Sequence, residues 1–566
     1  MEQRVGEDPE APGTIHLHRA GIIEGETPGQ SQIILQPRPS EDPNEPLVRS
    51  RSFSRACHAI WAKLISLFLQ NWSKKRKAIN YAIICFYALM TFTVLDIGTV
   101  AWQNYVDEFG MTWAELNITY ACNTAGLAFG CIVFIPFAQK FGKRPVYIIS
   151  TLITFGMSIW QATLQSFGEM AATQVISGLS GAVSETLVQM TVIDMFFVHD
   201  RGTMNGVYLL MVAIGSFLAP VASGGIAIAQ GWRWMYWWTS ILLGINLLLF
   251  VFFYEETKFV PRDEAVISNN DSTRTNSDSL ERKSGEKVKE SLPTTLTHSR
   301  PKINTNIPMK SRRERLAFVT TSEAPFSKLL RHAWYPFVVL VTIPAIAYCA
   351  LQYGMLLSWF SVIITSEAQF FILPPYNFDE VGIGLLCMPA FIGCLFGFLW
   401  GGPFSDWSIV WFTRRNKGIY EPEMRLYGAI LPAIVGPIGL FLYGYSTAAG
   451  APWIIPCIGI GLFGFVVISL GDISLTYLSD SYPEILATGL IGLAFVRNVM
   501  ATIVVFIQDP WTDGLGLHGM FTCIGCMTIG LNLIIIPGII WGKRFRIRYA
   551  DRYRKMAVKQ FNARVV

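Results

Sequence analysis

Apolar residues run in blocks of about twenty along most of the chain, the length an α-helix needs to cross the roughly 30 Å hydrocarbon core of a bilayer. Six blocks fall near 79–103, 115–138, 145–166, 169–193, 204–229 and 234–254, and six more near 335–364, 381–403, 426–446, 452–478, 486–507 and 519–541. Backbone in lipid has no water to bond, so such blocks predict helices. The pattern predicts an all-α membrane protein of twelve transmembrane helices in two six-helix bundles.

The polar stretches set the boundaries. Residues 1–76, acidic and Pro-rich through about residue 55 (EGETPGQ, PRPSEDPNEP), read as a disordered cytosolic tail. Near its end, Ile60–Leu69 is too short to span and reads as an interfacial helix ahead of Lys74–Lys77. The first bundle covers 77–254, a Ser/Thr/Lys/Arg-rich disordered linker 255–332, the second bundle 333–541, and a basic tail 542–566. The start of the chain lacks the pattern of a signal peptide.

Composition agrees with this reading. Of 566 residues, 52% are hydrophobic and only 15% charged, where soluble proteins carry roughly a quarter. The net charge of +5 comes with no basic stripe, which argues against nucleic acid. Most of the ten cysteines sit inside apolar blocks, and Cys523-x-x-Cys526 has neither a second pair nor a nearby His. No metal, no cofactor and no enzymatic chemistry is expected.

Lys and Arg concentrate in short cytoplasmic loops. With the N-terminus inside, the inner segments carry Lys74–Lys77, Lys140, Lys143, Arg144, Arg201, Arg414, Arg415, Lys417 and Arg425, while the outer loops carry Asp107, Glu108, Glu169, Glu367, Asp379, Glu380, Asp513 and one base, Arg233. Both termini and the linker are therefore expected in the cytosol. The sequon Asn117-Ile118-Thr119 then faces outside as a weak glycosylation candidate.

Ionisable residues inside apolar blocks are costly unless they face a cavity or a partner. They are Asp96, Glu185, Asp194, Asp472 and Arg497. Gln174, Gly178, Gly181, Glu185 and Gln189 share one helical face, which suits a water-filled path; a structural Glu bonded to a neighbouring helix is the alternative. Asp96, near Thr91, Thr93 and Thr99, suits a cationic substrate, a proton or a helix–helix hydrogen bond. Asp472 follows Gly471 with the same alternatives, and Arg497, beside Asn498, needs an anionic or carbonyl partner. Tyr348, Gln352, Tyr353 and Trp359 offer aromatic and amide contacts to an amphipathic or cationic ligand.

The loops suggest a repeat. Gln139-Lys140-Phe141-Gly142-Lys143-Arg144 follows the second block, and Gly402-Pro403-Phe404-Ser405-Asp406 the eighth. Asp194 precedes Gly206 by the same interval as Asp480 precedes Gly492, a register that sets Glu185 opposite Gly471. In the fifth block, Gly215-x-x-x-Ala219-Pro220-x-x-Ser223-Gly224-Gly225 makes a small-residue packing face with a bend.

Over residues 77–550 these motifs resemble the major facilitator superfamily, and within it the fungal twelve-spanner drug:proton antiporter family. Lys140, Gly142, Lys143 and Arg144 match the family's motif after the second span, with Ile135 and Gln139 in place of its Gly and Asp; the second-half copy keeps Gly402 and Asp406. Gly215, Pro220 and Gly224 match the fifth-span antiporter motif, while Gln174 stands where the family carries a membrane Arg. Asp194…Arg201-Gly202-Thr203-Met204-Asn205-Gly206, Gly231-Trp232-Arg233-Trp234 and Glu255-Glu256-Thr257-Lys258 are similar to fungal members, in a branch of polyamine and cation carriers and secondary-metabolite exporters.

The resemblance implies two pseudo-symmetric bundles rocking about a central site in a monomer. It implies a small-molecule substrate and protons moving past Asp96, Glu185, Gln189, Gln352, Tyr353, Asp472 and Arg497, with Lys140, Gly142, Lys143, Arg144, Asp194, Arg201, Gly215, Pro220, Gly224 and Asp406 coupling the motion. The expected function is proton-driven efflux of a drug, toxin or metabolite at the plasma membrane rather than the vacuole. The alternatives are transport of polyamines or organic cations, and a transport-like sensor acting through the linker.

Overall fold

The computed structural model describes residues 12–16, 74–196, 198–257, 316–318, 326–416 and 419–557. The expected interfacial helix at 60–69, most of the linker and the last residues of the tail lie outside the described residues.

Among the described residues, ten segments are long and apolar enough to cross a membrane. Two adjustments bring the count to the expected twelve. Phe167–Met195 is long enough but too polar to qualify, and it is the fourth span. Leu486–Asn532 is one unbroken run until Gly516, whose φ of +68° reverses the chain and divides the eleventh span from the twelfth.

The other spans are Lys74–Phe109 with a 3₁₀ turn at Ile97–Ala101, Trp113–Phe141, Lys143–Ala162, Val198–Gln230 with a π-turn at Ile214–Leu218, and Arg233–Phe252. In the second half they are Pro344–Phe370, Glu380–Arg415 with a π-turn at Trp400–Phe404, Pro422–Ala448 and Ile454–Ser481. The expected seventh block, 335–364, divides at Ile343: Phe326–Thr342 forms a separate helix, and Pro344 opens the span. Local chemistry sets several ends. Thr112 and Glu115 form a reciprocal capping box at the second span, and Asp379 caps the eighth through Gly382 N–H at 2.8 Å.

Packing repeats between the halves. Spans 2 and 4 cross closely enough that a Cβ on Gly130 would lie 2.6 Å from the Ala182 methyl. Their counterparts, spans 8 and 10, approach similarly: a Cβ on Gly464 would lie 3.0 Å from the Ala390 Cα. Across the molecule, span 2 packs on span 11 and span 8 on span 5. These contacts exchange if the two halves are exchanged, so the inferred repeat is a property of the fold.

One face carries residues 142–144, 254–257, 316–318, 419–425 and the C-terminal helix Ile535–Ala557; it is called the linker face below. Residues expected to begin a loose linker fold back here. Glu256 accepts from the backbone N–H of Lys143 and Arg144 at 3.1 and 3.0 Å, capping span 3, while Arg76 pairs with Glu255. A two-residue antiparallel ladder joins Ile15–His16 to Ile419–Tyr420, so a short piece of the tail expected to be disordered is ordered.

Candidate functional site

The polar side of span 4 turns into the protein, which explains why that helix looks too hydrophilic to face lipid. Thr173, Ser177, Ser180, Ser184, Glu185, Thr186 and Gln189 are all buried. Span 11 meets it from the other half. Asn498 Nδ2 donates to Glu185 Oε2 at 2.7 Å, and the Arg497 guanidinium pairs with Glu185 Oε1. The sequence required a partner for Arg497, and the structure supplies Glu185. Arg497 also lies over the Tyr353 ring, 4.8 Å from its centroid. Further along the same interface, Thr124 and Thr502 share a hydrogen bond of 2.9 Å.

This arrangement joins the halves with opposite charges in a dry interior. Each ion costs several kcal/mol to desolvate, so a buried pair persists only where geometry and added hydrogen bonds compensate. Such a contact can separate when water enters or when a proton replaces the cation.

Other expected site residues divide into two groups. Asp96 is buried at the break before the 3₁₀ turn of span 1 and accepts from Tyr120 at 3.3 Å. Gln189 lines a cavity of about 20 Å³ between the halves with Asn205, Thr476 and Ser479, toward the linker face. Asp472 is 1% exposed, and neither carboxyl oxygen has a hydrogen-bond partner among the described residues. It packs at the π-turn of span 8, where a Cβ on Gly401 would lie 3.2 Å from its own Cβ.

Gln352 does not belong with them. Its amide donates to Asn532 of span 12 at 2.8 Å and its oxygen accepts from Tyr348 at 3.3 Å, so it holds spans 7 and 12 together away from the central pair. A helix presents four consecutive positions to different neighbours, which is why Tyr353 reaches Arg497 and the preceding residue cannot.

On the linker face, the coupling motifs form ion pairs in both halves. Lys143 Nζ contacts Asp194 at 2.8 Å. In the corresponding place, Arg425 holds Asp480 at 2.5 Å and Asp406 at 3.2 Å, and Tyr420 donates to Asp480 at 2.5 Å. Asp406 also accepts from Thr203 of the first half at 3.4 Å. Arg144 donates to the carbonyls of Val251, Leu316 and Ala317. Lys140 Nζ lies 5.5 Å from the Phe141 ring centroid. Gly142 has φ +100°, which strains any other residue, and a Cβ there would displace the Glu256 carboxylate. The Arg201 side chain lies outside the described residues.

At the opposite face, Gly224 and Pro220 let span 5 approach span 8 at Val381 and Gly384, while Gly215 packs against Thr93 of span 1. Asn117 corrects the sequence reading. It is 2% exposed and donates to Asp509 at 2.8 Å across the halves, so a helix–helix contact replaces the proposed glycan acceptor. Glu367, expected in an outer loop, sits inside the seventh helix and is buried. Sequence reasoning also missed Asn498 as a ligand of Glu185, though its place next to Arg497 was the available signal. Glu423 and Arg546, paired at 2.5 Å, gave no such signal because each lies in a strongly polar segment. Among the described residues no cluster of three His, Cys, Asp or Glu side chains could hold a metal.

The model of the Major Facilitator Superfamily matches residues 81–506. An uncharacterized MFS-type transporter of Schizosaccharomyces pombe is 30% identical, covering 96% of this chain and 94% of its own length. The MFS antiporter QDR3 of Candida albicans is 23% identical over 86% of this chain and 81% of its own. Among solved structures, the proton:xylose symporter XylE superposes with a TM-score of 0.54 at 14% identity, covering 82% of this chain and 96% of that one.

Proposed function

Because the chain belongs to the major facilitator superfamily, we propose that this membrane transporter exchanges protons for a small molecule and exports it from the cytosol across the plasma membrane. The carrying observation is the Glu185–Arg497–Asn498 contact, a buried ion pair that spans the two halves. While the halves meet, Arg497 neutralises Glu185. When the path opens and the pair parts, Glu185 takes a proton, and substrate competes for the same polar surface with Tyr353. One proton driven by roughly 100 mV and about one pH unit supplies about 3.7 kcal/mol, enough for a gradient of a few hundred-fold in a neutral substrate. The name of the Candida relative, an antiporter, supports exchange as the mode.

A second reading has an observation of its own. Asp96 and Asp472 have no basic partner among the described residues, and both are buried. Uncompensated carboxyls around a transport path favour an organic cation such as a polyamine.

Proteoliposomes test both. With an imposed pH gradient, a labelled polyamine, a cationic dye and a neutral azole are offered to the parent protein and to Glu185→Gln, whose amide oxygen can still accept from Asn498. Gradient-driven uptake by the parent, lost in the variant, is the expected result. Uptake indifferent to both gradient and substitution would overturn proton exchange. Preference for the polyamine over the azole selects the second reading.

A further inference from the structure

Glu367 is used by none of the contacts described above. It is 4% exposed, and no hydrogen bond or ion pair to its carboxyl occurs among the described residues. It faces a cavity of about 10 Å³ walled by Phe360, Cys387, Ala390, Ile460, Phe463 and, from the other half, Phe217. That volume admits about one water. The ionisable groups around it are Cys387 of span 8, Tyr443 of span 9 and Cys457 of span 10; span 5 contributes Phe217 and no charge, and Asp96 of span 1, outside the cavity wall, is also near enough to act on Cys387. No Lys, Arg or His lines the cavity.

Phe217 is the informative wall. Its ring meets Phe360 edge-on at 5.0 Å and belongs to the half that must move if the face opposite the linker is to open. A carboxylate sealed in apolar surroundings without a counter-ion is strongly disfavoured, while the same group in water ionises freely. We propose that Glu367 is a proton-binding site that controls this gate: the halves close over it only after the carboxylate takes a proton from a hydronium ion, leaving water, and reopening returns that proton to solvent. The proposal goes beyond the transport reading, since closure would depend on pH whatever substrate is carried and in whichever direction.

Its test needs no substrate. Dicyclohexylcarbodiimide adds only to the protonated acid, and mass spectrometry locates the adduct. Closure is read from Asn117→Cys/Asp509→Cys, bridged by a short bis-methanethiosulfonate. Labelling of Glu367 that declines with rising pH is expected, with a several-fold fall in bridging that disappears when Glu367→Gln is added. An unlabelled Glu367 at every pH, or the same bridging profile with Glu and Gln, overturns the proposal. The labelling arm uses the unsubstituted residue and so survives a variant that fails to fold.

A separate observation concerns residues 12–16. Gly13 has φ +82°, and a Cβ there would lie 2.9 Å from the Ser481 Cα, so the segment lies directly on the end of span 10. Arg546 donates to Pro12 O and to Thr14 Oγ1 at 3.3 Å, and the strand formed by residues 15 and 16 pairs with 419–420. It therefore joins the C-terminal helix, the loop between spans 8 and 9, which carry Asp406 and Arg425 on either side of it, and the end of span 10, which carries Asp480. The geometry points to a strap: residues 12–16, added as a strand to this loop, brace the second-half side of the linker-face gate, whose Asp406 accepts from Thr203 of the first half, and so hold that gate closed.

Ser479→Cys lines the cavity between the halves on that face, so its alkylation by a charged maleimide reports opening. Deleting 12–16 should raise the rate several-fold, and a His16→Cys/Ile419→Cys disulfide should lower it until reductant is added. Equal rates in the parent, the deletion and the oxidised pair would overturn the strap.

Discussion

Arg497→Ala is expected to abolish transport and to destabilise the protein by about 3–5 kcal/mol, the usual cost of removing one partner from a buried ion pair. Glu185 would then keep its charge only by drawing in water, or lose it by taking a proton permanently. Either outcome removes the alternation between paired and protonated forms. At about 1.4 kcal/mol per factor of ten, this exceeds a hundred-fold in any equilibrium the pair controls. Arg497→Lys should fall between parent and alanine, because an ammonium on a flexible stem cannot reproduce the guanidinium's contact with both the carboxylate and the Tyr353 ring.

The double variant Glu185→Gln/Arg497→Gln separates stability from coupling. With neither charge left alone, monodispersity in detergent should return toward that of the parent, while gradient-driven uptake should not. Size-exclusion profiles and proteoliposome uptake on the same preparations decide it. If Arg497→Ala remains monodisperse and transports at the parent rate, the pair is not the coupling element.

The sequence announced this site in part because charge is scarce at membrane depth. Five ionisable residues in apolar blocks were a short enough set to examine singly, and two of them meet. What composition could not supply was their choice of partner: Glu185 lies 313 positions from Asn498, and only the packing of span 4 on span 11 selects that contact over Asp96 or Asp472. Gln352 bonds span 12 rather than the central pair because a one-residue step around a helix changes the neighbour completely. Glu367 was misassigned because Thr365-Ser366-Glu367 ends the apolar block, whereas the helix runs to Phe370. Side-chain bonds from Thr365 to Gln508 at 2.7 Å and Ser366 to Tyr443 at 2.8 Å bury that polar turn, and neither partner is near in sequence.

The linker-face charges were more legible, since the loop motifs repeat in the two halves, yet their strengths differ. Lys143–Asp194 is one contact with a half-exposed acid, whereas Arg425 serves two carboxylates, one of them almost wholly buried. Arg425→Ala is therefore expected to cost about 3–5 kcal/mol, because Asp480 would stay buried with only Tyr420 and Ser479 as donors. For a bundle of this size about 1 kcal/mol moves the melting temperature by roughly 2–4 °C, so a fall on the order of 10 °C is expected. Asp406→Asn should cost much less. Its side chain is 18% exposed, and the amide can still accept from Arg425 at the rim of the network. Thermal unfolding of the three proteins in one detergent makes the comparison. A drop for Arg425→Ala no larger than that for Asp406→Asn would mean that the network is solvated, and that the buried guanidinium does not hold this end of the second bundle together.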